Sequence, residues 1–469
     1  MAFTDRLHNR GSISTGYDID NSLKLESDNS ERVNKAAATI SGAGNRRTFT
    51  ISFWTKRTEI NGVKQYLFEA GNSDADNDRF TLRFGTGDTL DIQTSATYLV
   101  TNRKFRDTSA WYHIVLKVDT TDGTAADRMK LYVNGVEETS FATDNRANIN
   151  QNFDFAVNNT EDHIIGNSMI EGSAYYNGYI TEWIQLDGTA AAPTSFGEFD
   201  DSGIWKPKDP SELSFGTNGF WLDFEDSSNL GNDASGGTDF TLTNVAAADQ
   251  ATDTPTNNFA TFNPLHYTTK YTISAGATRQ NSSVNGWGTS VGSIGVTSGK
   301  WYFEIKTPDN NGYTTFGAID ADSILSQYLN GNAHAGDAPY GISYYGGNGG
   351  IIVNGSYISG TSFSSYNTQI MGCALDLDNN KIYFSKSGTY GNSGNPVTGA
   401  NGISLPSGGS GTWFFSTSTY VQPLDTNHGG YTSLTISSAE SDANGYGTFE
   451  YAPPSGYYAL CTKNLAEFG

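Results

Sequence analysis

Three groups of side chains in this 469-residue sequence could do chemistry by their type and spacing. The first is carboxylates. Retaining glycoside hydrolysis needs two carboxyls about 5–5.5 Å apart, one ionised and one kept protonated. Glu26, Asp28 and Glu31 fall close enough in sequence to be tested for it. Ser27, Asn29 and Ser30 separate them, so the string reads as a solvated turn with nothing apolar to hold a proton on one carboxyl. Glu182 and Asp187 form a second acidic pair with the wrong spacing. Gly288-Thr289-Ser290-Val291-Gly292 has the form G-x-S-x-G, but a nucleophile elbow needs a strand-turn-helix context, and the surroundings of Ser290 are Gly-rich and strand-like. The six histidines are isolated, without H-x-x-x-H or C-x-x-C spacing. No catalytic residue is assigned, and the chain reads as a non-enzyme.

The second group is hard oxygen ligands. Asp74, Asp76 and Asp78 alternate in SDADNDR, a pattern that suits a calcium loop and equally a solvated acidic turn, since the Gly and terminal Glu of an EF-hand loop are missing. The third group is aromatic. Sugars are recognised by aromatic faces set against the apolar side of a pyranose, with amides and carboxylates for the hydroxyls. Tyr340, Tyr344 and Tyr345 lie in DAPYGISYYGGNGG beside flexible Gly and Asn, and Asn285, Trp287 and Tyr313 occupy other loops of the same half. Tyr175 and Tyr176 in SAYYNGY offer a similar pair in the other half. Each could instead be core. The pair Tyr344-Tyr345 is the first choice, because alternation turns one of them outward in any strand register.

Strands must position these groups. The chain carries 53 Gly, 26 Tyr, 26 Phe and 8 Trp, a composition suited to pleated surfaces and tight turns, and no long stretch has helical apolar periodicity. The fold class expected is all-β, with two β-sandwich domains of jelly-roll type in tandem. In Trp111–Gly135, Tyr112, Ile114, Leu116 and Val118 alternate, then Met129, Leu131 and Val133, with Asn134-Gly135 as a turn. A hairpin cannot bury its face alone, so a second sheet is required. Further strands are expected in TFTISFWTK, with Phe49, Ile51 and Phe53 on one face and Trp54 on the other, and in GKWYFEIKT, with Trp301, Phe303 and Ile305 opposed to Tyr302, Glu304 and Lys306. The formal charge of −22 repels nucleic acid, so no nucleic-acid partner is expected. No run of 18 apolar residues suggests insertion into a membrane. Cys373 and Cys461 are expected as buried free thiols, although they could pair. The N-terminus shows no apolar signal-peptide core.

Six elements in order, TFTISFWTK, YLF, WYHIVLKVD, KLYVNG, IIGNS and YNGYITEWIQLDG, resemble the laminin-G-like, concanavalin A-type jelly roll over residues 20–190. That family includes glucanases whose carboxyls come from an E-x-D-x-x-E strand, and Glu26, Asp28 and Glu31 lack its apolar intervening residues. The resemblance also implies calcium in rim loops as a possible cofactor, at Asp74, Asp76 and Asp78. GKWYFEI, ALDLDNNKIYFSKSG and TWFF resemble the SPRY-type sandwich over residues 285–465. The domains expected are an N-terminal segment 1–18, a laminin-G-like sandwich 19–245 whose residues 188–245 supply closing loops and a strand, a linker 246–266, and a SPRY-like sandwich 267–469.

Together with FGEFDDSGIWKPK, FGTNGFWLDF, TDTPTNNFATFNPL and APPSGYYALCTKNL, the pairing resembles structural proteins of tailed, especially marine, bacteriophages. This implies a virion-surface protein, a tail fibre or capsid fibre, assembled in host cytoplasm and extracellular as part of the particle. Its partners would be host cell-surface glycans and other virion proteins, and by analogy with fibres it would be a homo-oligomer, with a trimer favoured. The polar N-terminal segment reads as a free tail or as a virion-attachment peptide using Phe3, Arg6, His8 and Arg10. A polysaccharide depolymerase and a stand-alone lectin are the alternatives.

Overall fold

The computed structural model describes residues 16–73, 79–266, 270–282, 285–307, 313–324, 333–358 and 368–469. The chain is all-β and divides after Thr256 into two compact units. In the first unit, one sheet runs in the order Val136–Glu137, Met129–Val133, Tyr112–Asp119, Thr48–Arg57, Gly178–Asp187, Ser22–Leu25 and Gln250–Ala251, with Phe220–Leu222 also paired to Gly178–Asp187. The facing sheet runs Phe141–Asp144, Thr97–Thr101, Leu90–Gln93, Arg79–Phe84, Gln65–Gly71, His163–Ile165, Arg32–Lys35 and Thr241–Thr243. The alternation expected from the sequence is the alternation found. Phe49, Ile51, Phe53, Ile114, Leu116, Val118, Met129, Leu131 and Val133 all enter the core between the sheets. Trp54 turns to the other face and stacks on His113. The hairpin ends at Asn134-Gly135 with φ of +49° and +77°, and a Cβ at Gly135 would meet the Trp205 ring at 2.3 Å. Only glycine fits there.

The outer face of the first sheet is also buried. Segment 189–215 folds back over it, bringing Phe196, Leu213 and Phe215 against Val115, Ile184 and Leu186, while Trp205 donates its indole N–H to His113 at 3.0 Å. Phe196 and Trp205 are buried, whereas Phe199 stays 51% exposed. The segment forms a ribbon, Gly197–Phe199 paired with Trp205–Pro207, that needs only one aromatic face inward.

Residues 246–266 divide between the units. Gln250–Ala251 adds a strand to Ser22–Leu25, and Asp253, 1% exposed, accepts from Lys56 Nζ at 2.7 Å and Trp111 Nε1 at 3.0 Å. Phe259, Ala260 and Phe262 instead join the clusters of the second unit. A stretch with few charges and scattered apolar residues reads as a linker, yet its ends are closing segments for different cores.

In the second unit a nine-stranded sheet is built on Lys300–Lys306, Met371–Asp376 and Lys381–Lys386, extended through Pro423–Asn427 to Arg279–Asn281 and Thr272–Ser274. Its partner runs Trp287–Val291, Trp413–Tyr420, Thr314–Asp320, Gly341–Tyr345, Gly350–Val353 and Ser356–Ile358. Trp301, Phe303 and Ile305 face the inner core, and Tyr302 faces out, where Phe449 and Tyr457 cover it. Cys373 and Cys461 are buried free thiols. Among the described residues no helix is long and apolar enough to cross a membrane.

Replacing Asp253 by Ala leaves the Lys56 ammonium buried without its carboxylate, a loss of about 3–5 kcal/mol for a broken buried pair. In urea unfolding, the transition of the first unit should move to lower denaturant while that of the second stays in place. Equal shifts of both, or none, would contradict this role.

Candidate functional site

Alternation through Tyr344-Tyr345 decides where the second unit keeps its aromatic rings. Tyr344 points inward, fully buried against Phe316 and Phe384, so Tyr345 points out, half-buried. Tyr345 pairs across the sheet with Thr315, Thr315 with Ser418, and Ser418 with Thr289. These four share the outer face, and so do residues two positions away on the same strands: Trp287, Tyr420 and Tyr313. Tyr357 joins them beyond Ile352, the partner of both Tyr357 and Ser343.

The rings form a continuous series. Tyr313 lies 5.6 Å from Tyr420, Tyr420 5.8 Å from Trp287, Trp287 6.0 Å from Tyr345, and Tyr345 6.3 Å from Tyr357, centroid to centroid. His334 stands edge-on to Trp287 at 5.2 Å and parallel to Tyr345 at 6.4 Å. Tyr313 and Tyr357 are 48% and 59% exposed, so the series is open to solvent at both ends. Around it are polar groups that suit hydroxyl ligands. The Tyr420 hydroxyl donates to Asn285, and Asp337 lies 3.4 Å from His334 Nδ1. Burial holds the His334 imidazole below its ordinary value although Asp337 opposes the shift. Thr315, Ser343 and Ser416 lie beneath this face at 0–1% exposure and form its floor.

The other half of this outer face is closed. Ala335 and Ala338 cover Val291, Ile319 and Phe414, and Gly336 lies so close to the sheet that a Cβ would meet Ser343 Oγ at 2.4 Å.

Of the aromatic residues singled out in the sequence, Trp287, Tyr313 and Tyr345 come together here. Tyr340 does not: it lies near Asp320 and Gly408, at the covered end. Tyr344 is withdrawn into the core, and Tyr176 is fully buried in the first unit, sharing hydrogen bonds with Thr55 Oγ1 at 2.6 Å and the Lys56 carbonyl at 3.0 Å. Neither has a face for a ligand. Tyr175, in the first unit, is half-buried. The sequence reading missed Tyr420, Tyr357 and His334. The first two were within reach: Phe414, Ser416, Ser418 and Tyr420 alternate, and Tyr357 follows an Asn354-Gly355 turn with φ of +47° and +71°. His334 comes from a covering loop, where no periodicity marks it.

The carboxylate candidates are structural. Asp28 is exposed, but Glu26 and Glu31 are 6% and 1% exposed, which corrects the solvated-turn reading. Glu31 is drawn in by Lys24 Nζ at 2.9 Å. Asp187 accepts backbone N–H groups of Asn45 and Asn218 at 2.6 and 2.9 Å. Ser290 is buried in mid-strand, paired with Thr417, not at an elbow. Asp74, Asp76 and Asp78, like Phe3, Arg6, His8 and Arg10, lie outside the described residues. Among the described residues no group of three or more His, Cys, Asp or Glu is placed to hold a metal ion.

Residues 29–184 match the family described as the concanavalin A-like lectin/glucanases superfamily. The first unit has a lectin-like fold. No curated protein matches the chain. Among solved structures, the SPRY domain of human HERC1 is 17% identical, covering 35% of this chain and 96% of that one at a TM-score of 0.27. A putative carbohydrate binding protein from Bacteroides ovatus is 16% identical, covering 48% and 59% at 0.34. A heptameric SAP-like pentraxin from Limulus polyphemus is 16% identical, covering 38% and 80% at 0.28.

Within this lectin-like unit, Glu182 sits at a bulge in Gly178–Asp187 with φ of +49°. It accepts hydrogen bonds from Tyr17 Oη and Trp221 Nε1, both at 3.1 Å. Burial, with repulsion from Asp223 and Glu225, pushes its carboxyl up from 4.5 to about 8. The folded state then binds the proton more tightly than the unfolded chain. Its contribution is complete below pH 4.5 and is lost as pH rises through about 8. The urea midpoint of the first unit should therefore fall across that window, by at most roughly 1.4 kcal/mol per pH unit from this one group. Glu182→Gln should flatten the slope. An unchanged slope in the variant would remove Glu182 as its source.

Proposed function

We propose that this chain is a carbohydrate-binding display protein whose second sandwich presents the Tyr313–Tyr420–Trp287–Tyr345–Tyr357 surface to a glycan. The observation that carries this reading is the continuous set of aromatic rings on one sheet face, open to solvent at Tyr313 and Tyr357 and flanked by Asn285 and Asp337. A pyranose has an apolar side that packs on such rings and hydroxyls that pair with amide and carboxylate groups. The rings come from strands spread over this sheet, with neighbouring centroids about 6 Å apart, a cluster broad enough for more than one sugar ring laid on the face.

The reading is of binding, not turnover. Glu31 is paired with Lys24, Asp187 with backbone amides and Glu182 with Tyr17 and Trp221, so these three candidate carboxylates have structural partners. Our reading puts the display on a virion, as a fibre-like homotrimer held by its N-terminal segment with host glycans as ligand; the sequence resemblance to tailed-phage structural proteins is what supports it. An antibody to the chain should decorate purified particles, and unlabelled particles would overturn that placement.

On a glycan array, the full chain should bind a restricted set of saccharides. Trp287→Ala and Tyr345→Ala should each weaken binding about 10-fold, roughly 1.4 kcal/mol, while Tyr175→Ala in the first unit should leave it unchanged. Binding that survives both changes in the second unit would move the site elsewhere.

A further inference from the structure

The first and last strands of the first unit are direct neighbours. Ser22 pairs with Ala251 and Leu23 with Gln250 in an antiparallel ladder, so the next opposed positions are Lys24 and Asp249. Lys24 points to the outer face, away from Leu23 and Leu25 in the core, in the row of Tyr179 and Lys56. Its ammonium lies 2.7 Å from Asp249 Oδ1 and 2.9 and 3.0 Å from the two oxygens of Glu31. The side chains of Lys24, Glu31 and Asp249 are only 2%, 1% and 11% exposed. Lys24 is one of 28 cations in a chain with 50 acids, yet it is spent inside, between two carboxyls.

Two carboxyls and one ammonium in a buried site leave one negative charge too many, and desolvation disfavours it. Burial, stronger here than the attraction of Lys24, pushes the Glu31 carboxyl upward, and its place beside the amine and the second carboxyl lets it carry a proton between them. Asp249 is held in place meanwhile. Its Oδ2 accepts the Ala246 N–H at 2.8 Å, at the start of the turn Ala247–Asp249. Neighbouring Lys56 and Asp253 are equally buried, but the third group there is the Trp111 indole N–H, a donor that cannot shuttle a proton.

We propose that Lys24 and Asp249 join through a self-catalysed isopeptide bond, with Glu31 as the proton carrier. In the low-dielectric site the Lys24 ammonium passes one proton to the Asp249 carboxylate, giving neutral amine and neutral acid. The Lys24 Nζ lone pair attacks Asp249 Cγ, forming the C–N bond. Glu31 gives its proton to the departing hydroxyl and takes one from the nitrogen. The Cγ–O bond breaks, one water leaves, and Glu31 ends protonated as it began. Nothing is oxidised or reduced, and no cofactor is needed. The product ties the first strand to the last, so tension between the two ends of the unit is borne by a covalent link.

The test is the intact mass of the purified full chain. It should be below the sequence mass by one water, and tandem mass spectrometry of a protease digest should find the Lys24 and Asp249 peptides joined. Lys24→Arg should restore the full sequence mass. Glu31→Gln should fold, as judged by circular dichroism, and remain unlinked or link far more slowly. A wild-type chain of full sequence mass, or a link at Lys56 and Asp253 instead, would overturn the proposal. A folded Glu31→Gln chain that links as completely and as fast would overturn the role of Glu31.

Discussion

A β-sheet has two faces, and a sandwich buries only one face of each sheet. The rest of this structure follows from how the other four faces are treated. In the first unit, segment 189–215 covers one outer face with Phe196, Trp205 and Phe215. The opposite outer face carries Arg79, Arg83, Glu69 and Asp91, paired across strands and buried, with Ser168, Met169 and Glu171 hydrogen-bonded over them. In the second unit Phe449 and Tyr457 close the outside of the nine-stranded sheet. The fourth face is closed at one end by Ala335 and Ala338 and left open at the other, where the exposed rings stand. An aromatic surface left open on a sheet otherwise covered is the feature on which the proposed binding role rests.

Charge governs how the covers are fixed. With so few cations, the first unit places Lys24 and Lys56 under its closing strand, each against an aspartate of residues 249–253. A buried pair contributes little net stability compared with an apolar contact, but it tolerates no mismatch. Position is the gain: the strand Gln250–Ala251 can settle in one register only. Glu304 shows the same logic in the second unit. It is fully buried and collects the amides of Glu450 and Tyr451 with the Asn427 side chain, and burial raises its carboxyl to about 7.

Much of the scaffold was legible from period two alone, because each core strand exposes its alternation directly: Phe49, Ile51 and Phe53, or Trp301, Phe303 and Ile305. The candidate surface was legible in part. Alternation guarantees one outward residue at Tyr344-Tyr345 but does not say which, and the choice depends on strand register with Thr315. His334 and the sheltering of Glu26 and Glu31 depend on chain segments distant in sequence, so local composition misled at both. The unit boundary falls inside the 246–266 stretch, but its burial was not legible. Asp253, for one, acquires partners more than a hundred residues away.

The most direct measurement is a crystal structure of the full chain with an extended oligosaccharide selected for binding. Successive pyranose rings should lie over Trp287, Tyr345 and Tyr420, with hydroxyls within hydrogen-bonding distance of Asn285 or Asp337. Sugar density confined to the rim of the first sandwich, with the aromatic face of the second left bare, would contradict the account.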